Sequence, residues 1–190
     1  MDCQNQAQLD NEDWRSHLWA GVRAELPLLI GVMPFGLVYG ILALEAGIPA
    51  GIAQALSSVV FAGSAQLVMV QMVAAGAPAA MLVVAVFVVN LRHALYSASI
   101  APCLVGVSRT WRLALSYLLT DEAYAVAIAR FRTGNGRGRH WYLAGAGLTL
   151  WLGWQLSTWA GIALGTQVPQ GWSLEFALPL TFIAMLVPMV

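Results

Sequence analysis

Apolar residues run in long blocks along this chain, interrupted at short intervals by glycine, proline and isolated polar groups. Six blocks approach the ~20 mostly apolar residues that crossing a bilayer requires. They cover about 26–44, 52–75, 79–101, 112–130, 141–164 and 175–190. Turns such as Ala46-Gly47-Ile48-Pro49 and Gly76-Ala77-Pro78 separate them, and Trp111, Trp141 and Trp172 stand at block ends, as interfacial tryptophans do. The pattern predicts an all-α protein, a polytopic transmembrane helix bundle with about six spans.

The second block is irregular. Phe61-Ala62-Gly63-Ser64-Ala65-Gln66 places small and polar residues where a span would be most apolar. This predicts a discontinuous helix, tolerated at membrane depth only against protein or a watery cavity, as at transporter substrate sites. Tight helix packing through Ala62, Gly63 and Ser64 is the other reading. Gly36-x-x-x-Gly40 and Gly161-x-x-x-Gly165 also suggest close helix contacts, and Pro27 and Pro34 suggest a kinked first span.

Residues 1–25 have a different character. Asp2, Asp10, Glu12 and Asp13 argue against a cleavable signal peptide. Trp14, Leu18 and Val22 recur at helical spacing, so this segment is expected to be a cytoplasmic amphipathic leader lying on the bilayer. Residues 26–190 are then the transmembrane transport domain. The last block stops inside an apolar run at Val190, which suggests a C-terminal truncation.

Composition agrees with a membrane protein, since 59% of residues are hydrophobic and 9% charged, with net charge zero. Nothing in that balance suggests a nucleic-acid partner. Lysine is absent, and the arginines set an orientation. Counting six crossings puts Arg15, Arg23, Arg130, Arg132, Arg137 and Arg139 on one side, with Arg109 and Arg112 opposite. The N-terminus is then cytoplasmic; a re-entrant second block would remove the bias. Cys3 and Cys103 have neither disulfide-framework nor metal-ligand spacing, and no cofactor is implied. The Gly134–Arg139 loop is glycine-rich, but no strand precedes it, so a phosphate cradle is not expected.

The chemistry concentrates in two blocks. The third contains Asn90-Leu91-Arg92-His93 and the fourth Thr120-Asp121-Glu122. Each central charge costs ~2.5–3.5 kcal/mol on the insertion scale. Such groups face a partner or water and mark function. Arg92 lies nine residues before Ala101, and Asp121 nine residues after Arg112. At 1.5 Å per residue both stand about 14 Å below one surface, so the two should pair. Asn90, His93 and Ser97 share one helix face, and Tyr117, Thr120, Asp121 and Tyr124 another, while Glu122 points about 100° away. A buried network that fixes helix packing is the second reading of Arg92–Asp121, and His93 is equally open to a structural role.

Pro34-Phe-Gly-Leu-Val-Tyr-Gly40, Phe61-Ala-Gly-Ser-Ala-Gln66, Asn90-Leu-Arg-His-Ala-Leu-Tyr96 and Thr120-Asp-Glu-Ala-Tyr124 together resemble the AzlC (azaleucine resistance) family, the large subunit of bacterial branched-chain amino acid exporters. The resemblance implies export of leucine, isoleucine and valine across the inner membrane with a small hydrophobic, AzlD-like membrane subunit. A zwitterionic substrate with an aliphatic tail then makes Gly63, Ser64, Gln66, Asn90, Arg92, Tyr96, Tyr117, Asp121 and Tyr124 the candidate binding residues. No ATP-binding motif is present, so an ion gradient is the expected drive. His93, Asp121 and Glu122 are the candidate proton carriers. A channel or carrier for another small polar solute is the alternative, and a purely structural subunit another. A Ser64–His93 hydrolase dyad has no GxSxG or HExxH motif beside it, so an enzyme is not expected.

Overall fold

The computed structural model describes residues 14–133 and 138–166. The sixth apolar block, Trp172, Arg137 and most of the Gly134–Arg139 loop lie outside the described residues, as do the acidic residues of the leader. Among the described residues there are seven α-helices and no strand. They are α1 Trp14–Glu45, α2 Ala50–Val59, α3 Gly63–Ala74, α4 Ala79–Ile100, α5 Arg109–Leu118, α6 Asp121–Thr133 and α7 Arg139–Gly165, with a 3-10 turn at Ala101–Leu104.

The amphipathic segment and the first apolar block form one helix. α1 runs through residue 25, Pro27 and Pro34 without interruption for 32 residues, about 48 Å at 1.5 Å per residue. Both α1 and the Ala79–Leu104 segment are long and apolar enough to cross a membrane. α4 leaves Met81, Val83, Phe87 and Leu95 at least 60% exposed, an outward apolar surface that suits lipid and not water.

The second block is discontinuous. α2 ends where Val60 leaves helical geometry (φ −103°, ψ 66°), and α3 restarts after extended Ala62 (φ −155°, ψ 100°). The fourth block is discontinuous too, which the apolar pattern did not suggest. Leu119 (φ −85°, ψ 86°) ends α5, and α6 begins at Asp121.

Contacts divide the chain into two units. One contains residues up to Leu28 with Leu91–Trp151, and the other contains Leu29–Asn90 with the residues from Leu152 on. In the first, Ile100, Leu104, Leu115, Leu119, Ala123, Ala127, Phe131 and Leu143 form the core. Trp141 at the start of α7 meets Trp14 at the start of α1 (5.1 Å between ring centroids) and Trp111 at the start of α5 (4.8 Å). Arg139 donates to the carbonyls of Cys103 and Phe131, at the ends of α4 and α6. The start of α5 and the end of α6 therefore share one end of this unit. Far from that end, Tyr117 accepts a hydrogen bond from Trp151 Nε1 at 2.8 Å. α5 and α6 thus make a hairpin that enters and returns, instead of one continuous span. This corrects the arginine count. Arg109 and Arg112 do not stand opposite the others but gather with Arg15, Arg130, Arg132 and Arg139.

In the second unit α1 and α7 run side by side in the same direction, because their contacts advance together. A Cβ added at Gly153 would meet Leu29, and one at Gly161 would meet the Leu37 carbonyl oxygen at 2.1 Å. One at Gly40 would meet the Thr158 oxygen at 2.5 Å and the Ile162 nitrogen at 2.7 Å. Both small-residue motifs thus serve backbone-to-backbone contact, where van der Waals packing replaces the missing hydrophobic drive.

Candidate functional site

The hairpin tip of the first unit is built by its break. Thr120 caps α6, its Oγ1 accepting from the Ala123 N–H at 3.4 Å while its carbonyl accepts from Tyr124 N–H. Asp121 and Glu122 fall in the first turn, where the partial positive charge of the helix N-terminus favours carboxylates. Two acids that looked prohibitive in mid-span are thus at a helix start.

The expected ion pair forms, with Arg92 Nη1 2.6 Å from Asp121 Oδ2. Their depths match because α5 descends against α4 as far as Arg92 before the chain turns. Beyond the turn, α6 runs parallel to α4, which aligns further pairs. Tyr96 stacks on Tyr124 with centroids 4.5 Å apart and planes within 16°. The Tyr124 hydroxyl is 3.0 Å from Ser99 Oγ, and His93 meets the Tyr96 ring edge-on. Arg92 and Asp121 keep 31% and 36% of their side-chain surface exposed, so a small polar molecule can reach the pair.

Of the predicted residues, Arg92, His93, Tyr96, Asp121 and Tyr124 come together here. Glu122 is beside them in the first turn of α6, and its charge acts on Glu25 of α1. Tyr117 is on the α5 arm against Trp151. Gly63, Ser64, Gln66 and Asn90 belong to the second unit. There Gln66 is fully buried, and its own chain occupies it. Its Nε2 donates to the carbonyls of Val60 (2.6 Å) and Ser57 (3.2 Å), and its Oε1 accepts from Trp154 Nε1 at 3.1 Å. It satisfies backbone groups that the break between α2 and α3 releases. Gly63 leaves room for the Trp154 ring, 2.7 Å from where a Cβ would stand.

Sequence reasoning missed two features. One is the polar seam of the second unit. Gln155 Oε1 accepts from Gln54 (2.7 Å) and Ser58 (3.0 Å), its amide donates to the Ser57 carbonyl, and the Ser57 and Thr158 hydroxyls are 3.1 Å apart. Gln54, Ser57 and Ser58 at i, i+3 and i+4 were the available signal. The other is Glu25, a fully buried carboxylate of the first unit.

Broken helices, an apolar outer surface and an accessible charge pair at a helix terminus define a membrane transport protein. The family model described as AzlC protein matches residues 27–168, and the chain belongs to that family. A relative, Inner membrane protein YgaZ of Escherichia coli (strain K12), is 28% identical over 172 residues, spanning 87% of this chain and 70% of the relative. No solved structure matches.

Proposed function

We propose that this chain is the large subunit of a secondary transporter that exports branched-chain amino acids across the bacterial inner membrane. It works with a small hydrophobic membrane subunit and draws on the proton gradient. The observation that carries the reading is the Arg92–Asp121 pair at the hairpin tip, one-third exposed and flanked by Tyr96 and Tyr124. A zwitterion presents one carboxylate and one ammonium, so it can replace each member's partner without leaving a charge unpaired. An apolar wall gives only ~1–3 kcal/mol of discrimination per methylene, which suits a range of leucine, isoleucine and valine. The arginines gathered at one end of the first unit support a cytoplasmic N-terminus. The same apolar helices support multi-pass insertion.

Counterflow of labelled leucine into proteoliposomes, with and without the small subunit, is the test. Accumulation that unlabelled isoleucine and valine compete away is the expected result. A voltage-dependent current with no counterflow would replace the exporter by a channel.

A further inference from the structure

Glu25 is in the middle of α1, yet its side chain has no exposed surface. Neither carboxylate oxygen has a hydrogen-bond partner among the described residues. An isolated carboxylate in such a place costs several kcal/mol if ionised, so the group is held neutral or given a cation. Glu122 from the first turn of α6 and the Tyr142 hydroxyl from α7 are close enough to act on it electrostatically. Arg130 lies over the Tyr142 ring, 6.0 Å from its centre. Arg92 is committed to Asp121. A second carboxylate nearby makes ionisation of the buried one costlier still.

We propose that Glu25 is a proton-binding site, coupled through Glu122 to the Arg92–Asp121 pair. The assignment rests on the transporter reading only for its purpose, and the proton can be observed without any substrate. Glu25 binds one proton as a neutral carboxylic acid and releases it as the carboxylate. Glu122 is next in sequence to Asp121, in the first turn of α6. A substrate ammonium arriving at Asp121 lowers the negative potential at Glu122 and therefore changes the proton's hold on Glu25. A proton site and a substrate site joined by one helix N-terminus is a compact coupling device.

The test is infrared difference spectroscopy on the full chain in lipid. Wild-type protein should show the C=O stretch of a protonated carboxyl at neutral pH, shifted in D2O, and Glu25→Gln should remove it. Glu122→Gln should keep the band and lower its titration midpoint by about one pH unit, the size of a neighbouring like charge. An unchanged band in Glu25→Gln overturns the assignment. If that variant does not fold, an unchanged midpoint in Glu122→Gln does so. In proteoliposomes, Glu25→Gln should keep leucine counterflow and lose transport driven by a pH gradient. Retained gradient-driven transport, or loss of counterflow in well-folded protein, also overturns it. Absence of counterflow in the wild type strikes the exporter reading alone and leaves the infrared result standing.

Discussion

Replacing Gln66 with methionine keeps the volume of the side chain and removes every hydrogen bond it makes. Trp154 Nε1 then loses its acceptor inside the second unit, where Gln66 has no exposure and Trp154 has 4%. A buried donor left unpaired costs about 1–3 kcal/mol. The two carbonyls suffer less. Ser57 still accepts from Gln155 Nε2 at 3.2 Å, and Val60 from the Ala62 N–H at 2.6 Å. Each loses one of two bonds, about 0.5 kcal/mol apiece. The total is about 2–4 kcal/mol, or roughly 30- to 700-fold in the unfolding constant. Unfolding in mixed micelles by denaturing detergent measures it. Trp154→Phe removes the stranded donor, so the double variant should recover about 1 kcal/mol relative to the sum of the singles. Wild-type stability in Gln66→Met, together with lost leucine counterflow, would refute the structural role and return Gln66 to the substrate.

Charge reversal at Arg92 or Asp121 alone should destabilise the protein by up to about 3 kcal/mol, reduced by the partial exposure of the pair, and the double reversal should restore folding. Asp121→Asn should insert normally and lose leucine counterflow; unchanged counterflow would remove Asp121 from the mechanism. Gly161→Leu drives atoms into the Leu37 backbone, which cannot yield, so thermal stability should fall by an amount worth about 1–3 kcal/mol or more. In a Cys103→Ser background without Cys3, cysteines at Thr110 and His140 should react with impermeant maleimide from the same side of the membrane. Labelling from opposite sides would exclude the α5–α6 hairpin.

The break between α2 and α3 was legible because Ala62, Gly63 and Ser64 stand out in an apolar run. The break at Leu119–Thr120 was not, because no glycine or proline marks it and Leu118-Leu119 reads as ordinary span. Yet a threonine before two acids is the signature of a helix start. Taken so, Thr120-Asp121-Glu122 would have revealed a terminus in place of a costly mid-span charge. The Arg92–Asp121 pair was legible from depth alone, since counting from the shared loop does not depend on the path of the chain beyond the tip. Glu25 was hidden by a boundary drawn on composition. The leader's charges made residue 25 look like an end, whereas helix continuity carries it into the core. Gln66 was visible as a polar residue, but only coordinates show that the loose carbonyls of its own break occupy it.

The α5–α6 hairpin also sets an order for synthesis. Its arms hold Arg109, Arg112, Asp121, Glu122, Arg130 and Arg132, too many charges for either arm to partition into lipid by itself. Its buried residues rest on Leu143 and Ala144 of α7, which leave the ribosome later. The nascent hairpin must therefore wait at the interface until α7 arrives, and a ribosome stalled before residue 139 would leave it accessible to protease.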